Sequence, residues 1–165
     1  DLSGAATALR SAGPFAGSRE EATQRTALLA LIQPIETDSL PALGAALLSL
    51  AQGDSAAAVA RLVTVADGLP AAGGGAELRL LAGRIEMGLG RPDEAERLLR
   101  AAADSSAPAT APAAELELGR LLLSVGRGTE AIAQLEHLIL TYPGSAAVPQ
   151  ARRVLDAARG GIPES

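Results

Sequence analysis

Apolar residues recur at the spacing of an amphipathic helix through most of the chain. The clearest stretch, residues 113–125, ends at Gly126, a residue type that commonly closes helices. A second stretch over 128–140 ends at the helix-breaking pair Tyr142 and Pro143. The pattern therefore predicts two consecutive helices joined by a tight turn, which together form a helical hairpin.

This hairpin pattern occurs more than once. Residues 84–99 align with residues 120–135 without a gap, at an offset of 36 positions. Gly53 and Gly17 continue the series, since they lie 37 and then a further 36 positions before Gly90. The sequence predicts a single domain of four hairpins and a terminal helix that caps the last one. The expected hairpins span about residues 1–35, 38–71, 75–108 and 112–144, and the capping helix about 146–159.

Small residues occupy fixed places in these units. Gly83 and Gly119 lie in first helices, and Ala58, Ala95 and Ala131 lie in second helices. Larger side chains at these places would hold the two backbones of a hairpin apart. We therefore assign the glycines to packing and not to phosphate binding.

Residues that cap helices precede several of the predicted elements. Asp38, Asp54 and Ser145 are expected N-caps, because their side-chain oxygens can accept a hydrogen bond from a free backbone N–H. Ser18 and Glu21 have the spacing of a capping box. These residues predict where the helices begin.

The pattern of Gly119, Gly126, Ala131 and Pro143 resembles the tetratricopeptide repeat (TPR) family. The resemblance covers about residues 18–143 and implies an all-α fold, a right-handed solenoid of helix-turn-helix repeats. It also implies a protein that binds a peptide or helix of a partner in a concave groove. The chain departs from the family where Leu, Ala or Arg replaces the usual large aromatic residues. Some relatives hold a terminal carboxylate with Lys and Asn, and the absence of both residue types here disfavours that ligand.

Composition excludes several classes of function. The 14 basic residues, all Arg, and 19 acidic residues give a net charge of -5, which disfavours nucleic acid as a partner. The chain has no cysteine and a single histidine, His137, so it lacks the ligands of most zinc sites and a thiol nucleophile. His137 is expected to be a solvated surface residue. We therefore predict neither an enzyme nor a cofactor, and no apolar run is long enough to predict membrane insertion.

The last part of the chain carries a second, local resemblance. Residues 140–160, in which Tyr142 and Pro143 lead into a helix rich in Ala and Arg, are similar to the end of bacterial envelope repeat proteins of the Tol-Pal coordinator and outer-membrane assembly lipoprotein types. This similarity implies a periplasmic or extracellular location and leaves a cytoplasmic one open. In the helix, Val148, Val154 and Leu155 are expected to cover the last hairpin.

The face of the first helices that the TPR fold turns inward supplies the candidate binding groove. The residues at this face are Leu43, Leu47, Leu50, Leu80, Arg84, Met87, Leu116, Arg120 and Leu123. Two interpretations stay open: an apolar groove flanked by arginines that binds a partner, or leucines that pack within the protein. Arg84 and Arg120 need anionic or carbonyl partners, which are expected to be Glu77 and Glu117 or a ligand.

The predicted function is a non-enzymatic scaffold for protein–protein interaction in a bacterial envelope complex. Two alternatives remain from the sequence. The first is a structural subunit that assembles with copies of itself, because many of its surfaces are rich in Ala and poor in charge. The second is a regulatory TPR segment of a larger protein.

Overall fold

The computed structural model describes residues 2–11, 19–36, 40–103 and 106–160. Over these ranges the chain forms nine α-helices and one 3-10 turn, with no strand, so the predicted all-α class is confirmed. The helices are α1 (Leu2–Ser11), α2 (Arg19–Ile32), α3 (Pro41–Ala51), α4 (Ser55–Asp67), α5 (Gly75–Gly88), α6 (Pro92–Ala103), α7 (Ala111–Ser124), α8 (Gly128–Thr141) and α9 (Val148–Gly160). The 3-10 turn, Ala71–Gly73, precedes α5.

The molecule divides into two compact units. The first unit is Asp1–Leu78 and the second is Arg79–Ser165, so the division falls within α5. In the first unit α1 packs against α2, and α3 packs against α4. In the second, α7 packs against α6, α8 and α9.

The core of the first unit lies mainly between α3 and α4. Leu43 and Ala46 on α3, with Ala58 and Leu62 on α4, are fully buried. The start of α4 is capped as expected, because the Asp54 carboxylate accepts a hydrogen bond of 3.0 Å from the Ala57 N–H. The predicted capping residues Asp38 and Ser18 lie outside the described residues, as does Gly17 of the repeat series.

The second unit has two apolar clusters. One lies between α5, α6, α7 and the start of α8 and includes Leu80, Leu99 and Leu118. The other joins α7, α8 and α9 through residues such as Leu116, Leu138 and Leu155. The residues of both clusters are aliphatic, as the near absence of aromatic residues predicts.

Three helix ends share one turn geometry. Gly53, Gly90 and Gly126 have φ angles of 80°, 69° and 79°, in the left-handed region where a Cβ atom is disfavoured. After each glycine, the next residue donates its N–H to a carbonyl five residues earlier, at 2.8 to 3.0 Å. These bonds join Asp54 to Ser49, Arg91 to Glu86 and Arg127 to Leu122. The predicted glycine turns are therefore confirmed in all three copies that the structure describes.

The terminal helix begins close to its predicted place. Ser145 accepts a hydrogen bond of 3.1 Å from the Ala147 N–H, and α9 starts at Val148. Val148 and Leu155 are buried, while Arg152 is exposed. The helix thus has an apolar face that covers α7 and α8 and a charged face toward solvent.

Candidate functional site

Three of the predicted groove residues belong to the core. Leu43, Leu80 and Leu116 are buried, so they are not open to a ligand. Leu116, for example, packs in the cluster formed by α7, α8 and α9. The repeat contains a signal for this burial: the position is Leu in the second, third and fourth hairpins, whereas the position four residues later is Leu, Arg and Arg in the same order. A place that is apolar in each of these three hairpins favours the interior.

Four other predicted groove residues are half-buried. Leu47 and Leu50 lie on α3 in the first unit. Met87 on α5 and Leu123 on α7 pack against the edge of the second unit's core and keep part of their surface exposed. In the second unit, exposed apolar surface is therefore present on the helices of the two arginines. It consists of two of the four predicted apolar residues, because Leu80 and Leu116 are buried.

Arg84 and Arg120 share one carboxylate. Glu117 Oε1 accepts a hydrogen bond of 3.1 Å from Arg84 Nε and lies 2.9 Å from Arg84 Nη2. The same oxygen lies 3.4 Å from Arg120 Nη1. The expectation that Glu117 is an internal partner is confirmed, and it serves both arginines at once.

A further contact extends this arrangement to the last helix. Arg120 Nη2 donates a hydrogen bond of 3.1 Å to Gln150 Oε1 on α9. We call the set Arg84, Glu117, Arg120 and Gln150 the polar ladder, because it joins α5, α7 and α9 in turn. Gln150 could not be predicted from the sequence, because it lies outside the aligned repeats and has no equivalent residue in them.

The polar ladder keeps its positive charge at the surface. The side chains of Arg84 and Arg120 are 49% and 40% exposed, whereas that of Glu117 is 13% exposed. Two guanidinium groups and one carboxylate give the ladder itself a net charge of +1. The ladder can therefore attract an anionic group while the carboxylate holds both arginines in place.

The sequence predicts that His137 is a solvated surface residue, but the structure also gives it a buried partner. Its ring is more than half exposed, but Nδ1 lies 2.9 Å from Oε2 of Glu115, whose side chain is 4% exposed. The two residues are 22 positions apart and meet because α7 and α8 are antiparallel partners of one hairpin. The contact ties α8 to a buried carboxylate on α7.

A charge network ties α6 to the turn between α7 and α8. Arg127 donates hydrogen bonds to Glu96 and to Glu130, and Arg100 donates to Glu96. These bonds hold the pKa of Glu96 below its ordinary value, with Arg127 as the main cause and Arg100 as the second. Arg127 likewise lowers the pKa of Glu130. Each charged group in the network pairs with a group of opposite charge, so we assign the network to stability.

The first unit contains an apolar cleft that the sequence analysis did not predict. Its volume is about 570 Å³, and α1, α2 and α3 form its walls. The described lining residues are Leu2, Ala5, Ala8, Leu9, Leu28, Ile32, Leu40, Pro41, Leu43, Gly44 and Leu47. These described residues are all nonpolar.

Two further observations bear on the kind of site. Within the described ranges, no three His, Asp or Glu side chains form a group that could hold a metal ion. None of the helices described has the length and apolarity needed to cross a bilayer.

Comparison with protein-family models, with curated proteins and with solved structures finds no match to this chain.

Proposed function

We propose that the chain is a non-enzymatic scaffold for protein–protein interaction, built as a right-handed solenoid of TPR-like hairpins. The proposed binding face is the side of α5, α7 and α9 that carries the polar ladder. Its ligand is an acidic, partly apolar peptide or helix of a partner protein. The similarity of residues 140–160 to the end of bacterial envelope repeat proteins supports a bacterial envelope complex as the place where the protein acts.

The repeat part of the proposal is supported by geometry that recurs at the sequence offset. The glycine turns at Gly53, Gly90 and Gly126 have one hydrogen-bond pattern. Two glycine–leucine contacts, Gly83 with Leu99 and Gly119 with Leu135, recur 36 positions apart. Repetition of both a turn and a packing contact is typical of stacked hairpin repeats.

The observation that carries the binding proposal is the shared carboxylate of the polar ladder. A guanidinium group has five N–H donors, and Glu117 engages two nitrogens of Arg84. An incoming carboxylate can accept hydrogen bonds from the remaining N–H groups on the exposed side of each arginine. Met87 and Leu123, half-buried nearby on the same helices, supply apolar contact for the ligand's neighbouring side chains.

Binding of synthetic peptides tests this proposal. The probe is a fluorescein-labelled twelve-residue peptide of Leu, Ala and Glu, and its matched form has Gln in place of every Glu. We expect wild type to bind the Glu peptide more tightly than the Gln peptide in an anisotropy titration. The double variant Arg84→Ala with Arg120→Ala should bind the Glu peptide roughly tenfold more weakly, because it loses the hydrogen bonds between the guanidinium groups and the peptide's carboxylates.

The matched control uses two other exposed arginines. Arg152→Ala with Arg153→Ala removes the same charge from α9 and leaves the ladder intact. This control should bind the Glu peptide as wild type does, and both double variants should keep the helical circular dichroism signal. Equal binding by the two double variants would show that net charge, and not the ladder, governs the affinity.

A further inference from the structure

The hydrogen-bond acceptors of the polar ladder are engaged within the ladder. Glu117 Oε1 accepts from Arg84 Nε, and the two Glu117 oxygens lie 3.4 and 3.5 Å from Arg120 Nη1. Gln150 Oε1 accepts from Arg120 Nη2 at 3.1 Å. A guanidinium group only donates, so the arginines bring no acceptor of their own. The hydrogen-bonding capacity that the ladder keeps for a ligand therefore consists mainly of donors.

The donors of the ladder are only partly engaged. A guanidinium group has five N–H groups. Within the part of the chain that the structure describes, neither Arg84 Nη1 nor Arg120 Nε makes a hydrogen bond. Both side chains keep a large part of their surface exposed. Each arginine thus presents N–H groups to solvent.

Gln150 adds an uncharged donor beside the arginines. Because Arg120 has no acceptor atom, the Gln150 amide turns its oxygen toward Arg120 and directs its NH₂ group elsewhere. Gln150 is exposed, and no described residue accepts a hydrogen bond from its amide nitrogen. The ladder therefore ends on α9 in a neutral group that can donate to a ligand.

The charge of the ladder limits the kind of acceptor that fits it. A single carboxylate of the ligand balances the net charge of +1. A second carboxylate opposite neutral Gln150 would have no charge to balance it. The acceptor opposite Gln150 is therefore best supplied by an uncharged group, and backbone carbonyls are the uncharged acceptors that every peptide carries.

The need for backbone carbonyls favours one conformation of the ligand. In an α-helix all carbonyls except the last four are bonded within the helix. A polyproline II segment has no internal hydrogen bonds, so its carbonyls are open to a partner. Proline favours this conformation and lacks the N–H that would otherwise face the donors of the ladder. Met87 and Leu123, half-buried on α5 and α7, provide apolar surface for proline rings.

We propose that the polar ladder binds an extended, proline-containing segment of a partner protein that carries one carboxylate. Arg84 and Arg120 pair with the carboxylate, and the Gln150 amide donates a hydrogen bond to a backbone carbonyl beside it. Gln150 is thus the residue that selects an extended segment over a helix. This inference rests on the proposed binding face and narrows its ligand to one backbone conformation.

Two fluorescein-labelled peptides with blocked termini test this preference. The first has one central Glu between alternating Leu and Pro residues, and the second has Ala in place of every Pro, which restores the N–H groups and favours a helix. In anisotropy titrations we expect wild type to bind the Pro peptide roughly threefold to tenfold more tightly than the Ala peptide, the effect of about one neutral hydrogen bond. Gln150→Met should remove this advantage, because it weakens binding of the Pro peptide and leaves that of the Ala peptide unchanged.

The matched control is Gln52→Met, which replaces an exposed glutamine of the first unit and should change neither affinity. Equal or weaker binding of the Pro peptide by wild type, or a Gln150→Met variant that affects both peptides alike, would overturn the inference. If both peptides lose affinity in the double variant Arg84→Ala with Arg120→Ala but wild type binds them equally, the binding face stands and only the extended ligand is wrong. If neither peptide loses affinity in that double variant, the proposed binding face itself is wrong.

Discussion

Leu135 of α8 lies directly against Gly119 of α7. A Cβ atom at Gly119 would come within 2.7 Å of Leu135 Cδ2 and 2.9 Å of its Cγ. The equivalent pair 36 residues earlier has the same geometry, with Leu99 Cγ 2.9 Å from a Cβ at Gly83. Both leucines are fully buried, so neither can move aside without disturbing the core. The glycine is thus the residue that lets the two helices approach in each of these two hairpins.

Gly119→Ala should destabilise the protein. Helix propensity alone predicts a gain of about 1 kcal/mol for Gly to Ala inside a helix, but overpacking against Leu135 should cost roughly 1 to 3 kcal/mol. The control is Gly88→Ala at the end of α5, where a Cβ has no neighbour within 4 Å. We expect urea melts to show a lower free energy of unfolding for Gly119→Ala and no loss for Gly88→Ala. A gain at both sites would show that the hairpin has room for a methyl group.

The charge network around Arg127 should make stability depend on pH. The pKa values of Glu96 and Glu130 in the folded protein lie below the ordinary value of 4.5, with Arg127 as the first cause. A depressed folded-state pKa adds stability above the unfolded-state pKa, and this stability is lost as the pH falls through the folded value. Wild type should therefore exceed Arg127→Gln in unfolding free energy at pH 7, and the difference should shrink below about pH 4.5.

The control for this experiment is Arg97→Gln. Arg97 pairs with Glu94 across a contact in which both side chains are more than half exposed, and such surface pairs contribute little. Its unfolding free energy should follow that of wild type at every pH. A difference between wild type and Arg127→Gln that stays constant from pH 7 to pH 3 would show that Arg127 acts through packing and not through its carboxylate partners.

The contact between His137 and Glu115 should contribute to stability. Substitution His137→Ala leaves the buried Glu115 carboxylate without its imidazole partner, which should cost roughly 1 to 3 kcal/mol at pH 7. In a Glu115→Gln background the same substitution should cost less, because an uncharged amide is easier to bury. Urea melts of the four proteins in this double-mutant cycle measure the coupling. A coupling energy of zero would reduce His137 to the solvated residue that the sequence predicts.

Local and periodic features of the structure could be predicted from sequence. The helices, the turns at Gly90 and Gly126 and the close approach at Gly119 all follow from spacing within one hairpin or between equivalent positions. The contacts that define the candidate site could not be predicted in the same way. Which of the recurring leucines face inward depends on the rotation of each helix about its own axis, and the spacing does not specify that rotation. Leu80 and Leu116 belong to the core and not to the groove.

Pairs between distant residues also depend on how helices are aligned along their axes. Arg120 meets Gln150 on a helix outside the aligned repeats, and Glu115 meets His137 across a hairpin. The lining of the cleft in the first unit likewise depends on how α1, α2 and α3 pack against one another. Spacing along the sequence does not specify that packing.

The most direct test of the proposed binding face is the affinity of Glu117→Gln for the Glu-containing peptide. The amide keeps the size of the side chain but removes the negative charge that Arg84 and Arg120 share. If the ladder binds acidic segments, anisotropy titration should give a severalfold tighter complex than with wild type, and the gain should disappear in 1 M salt, where the Debye length is about 3 Å. Unchanged or weaker binding by Glu117→Gln at low salt would contradict the account.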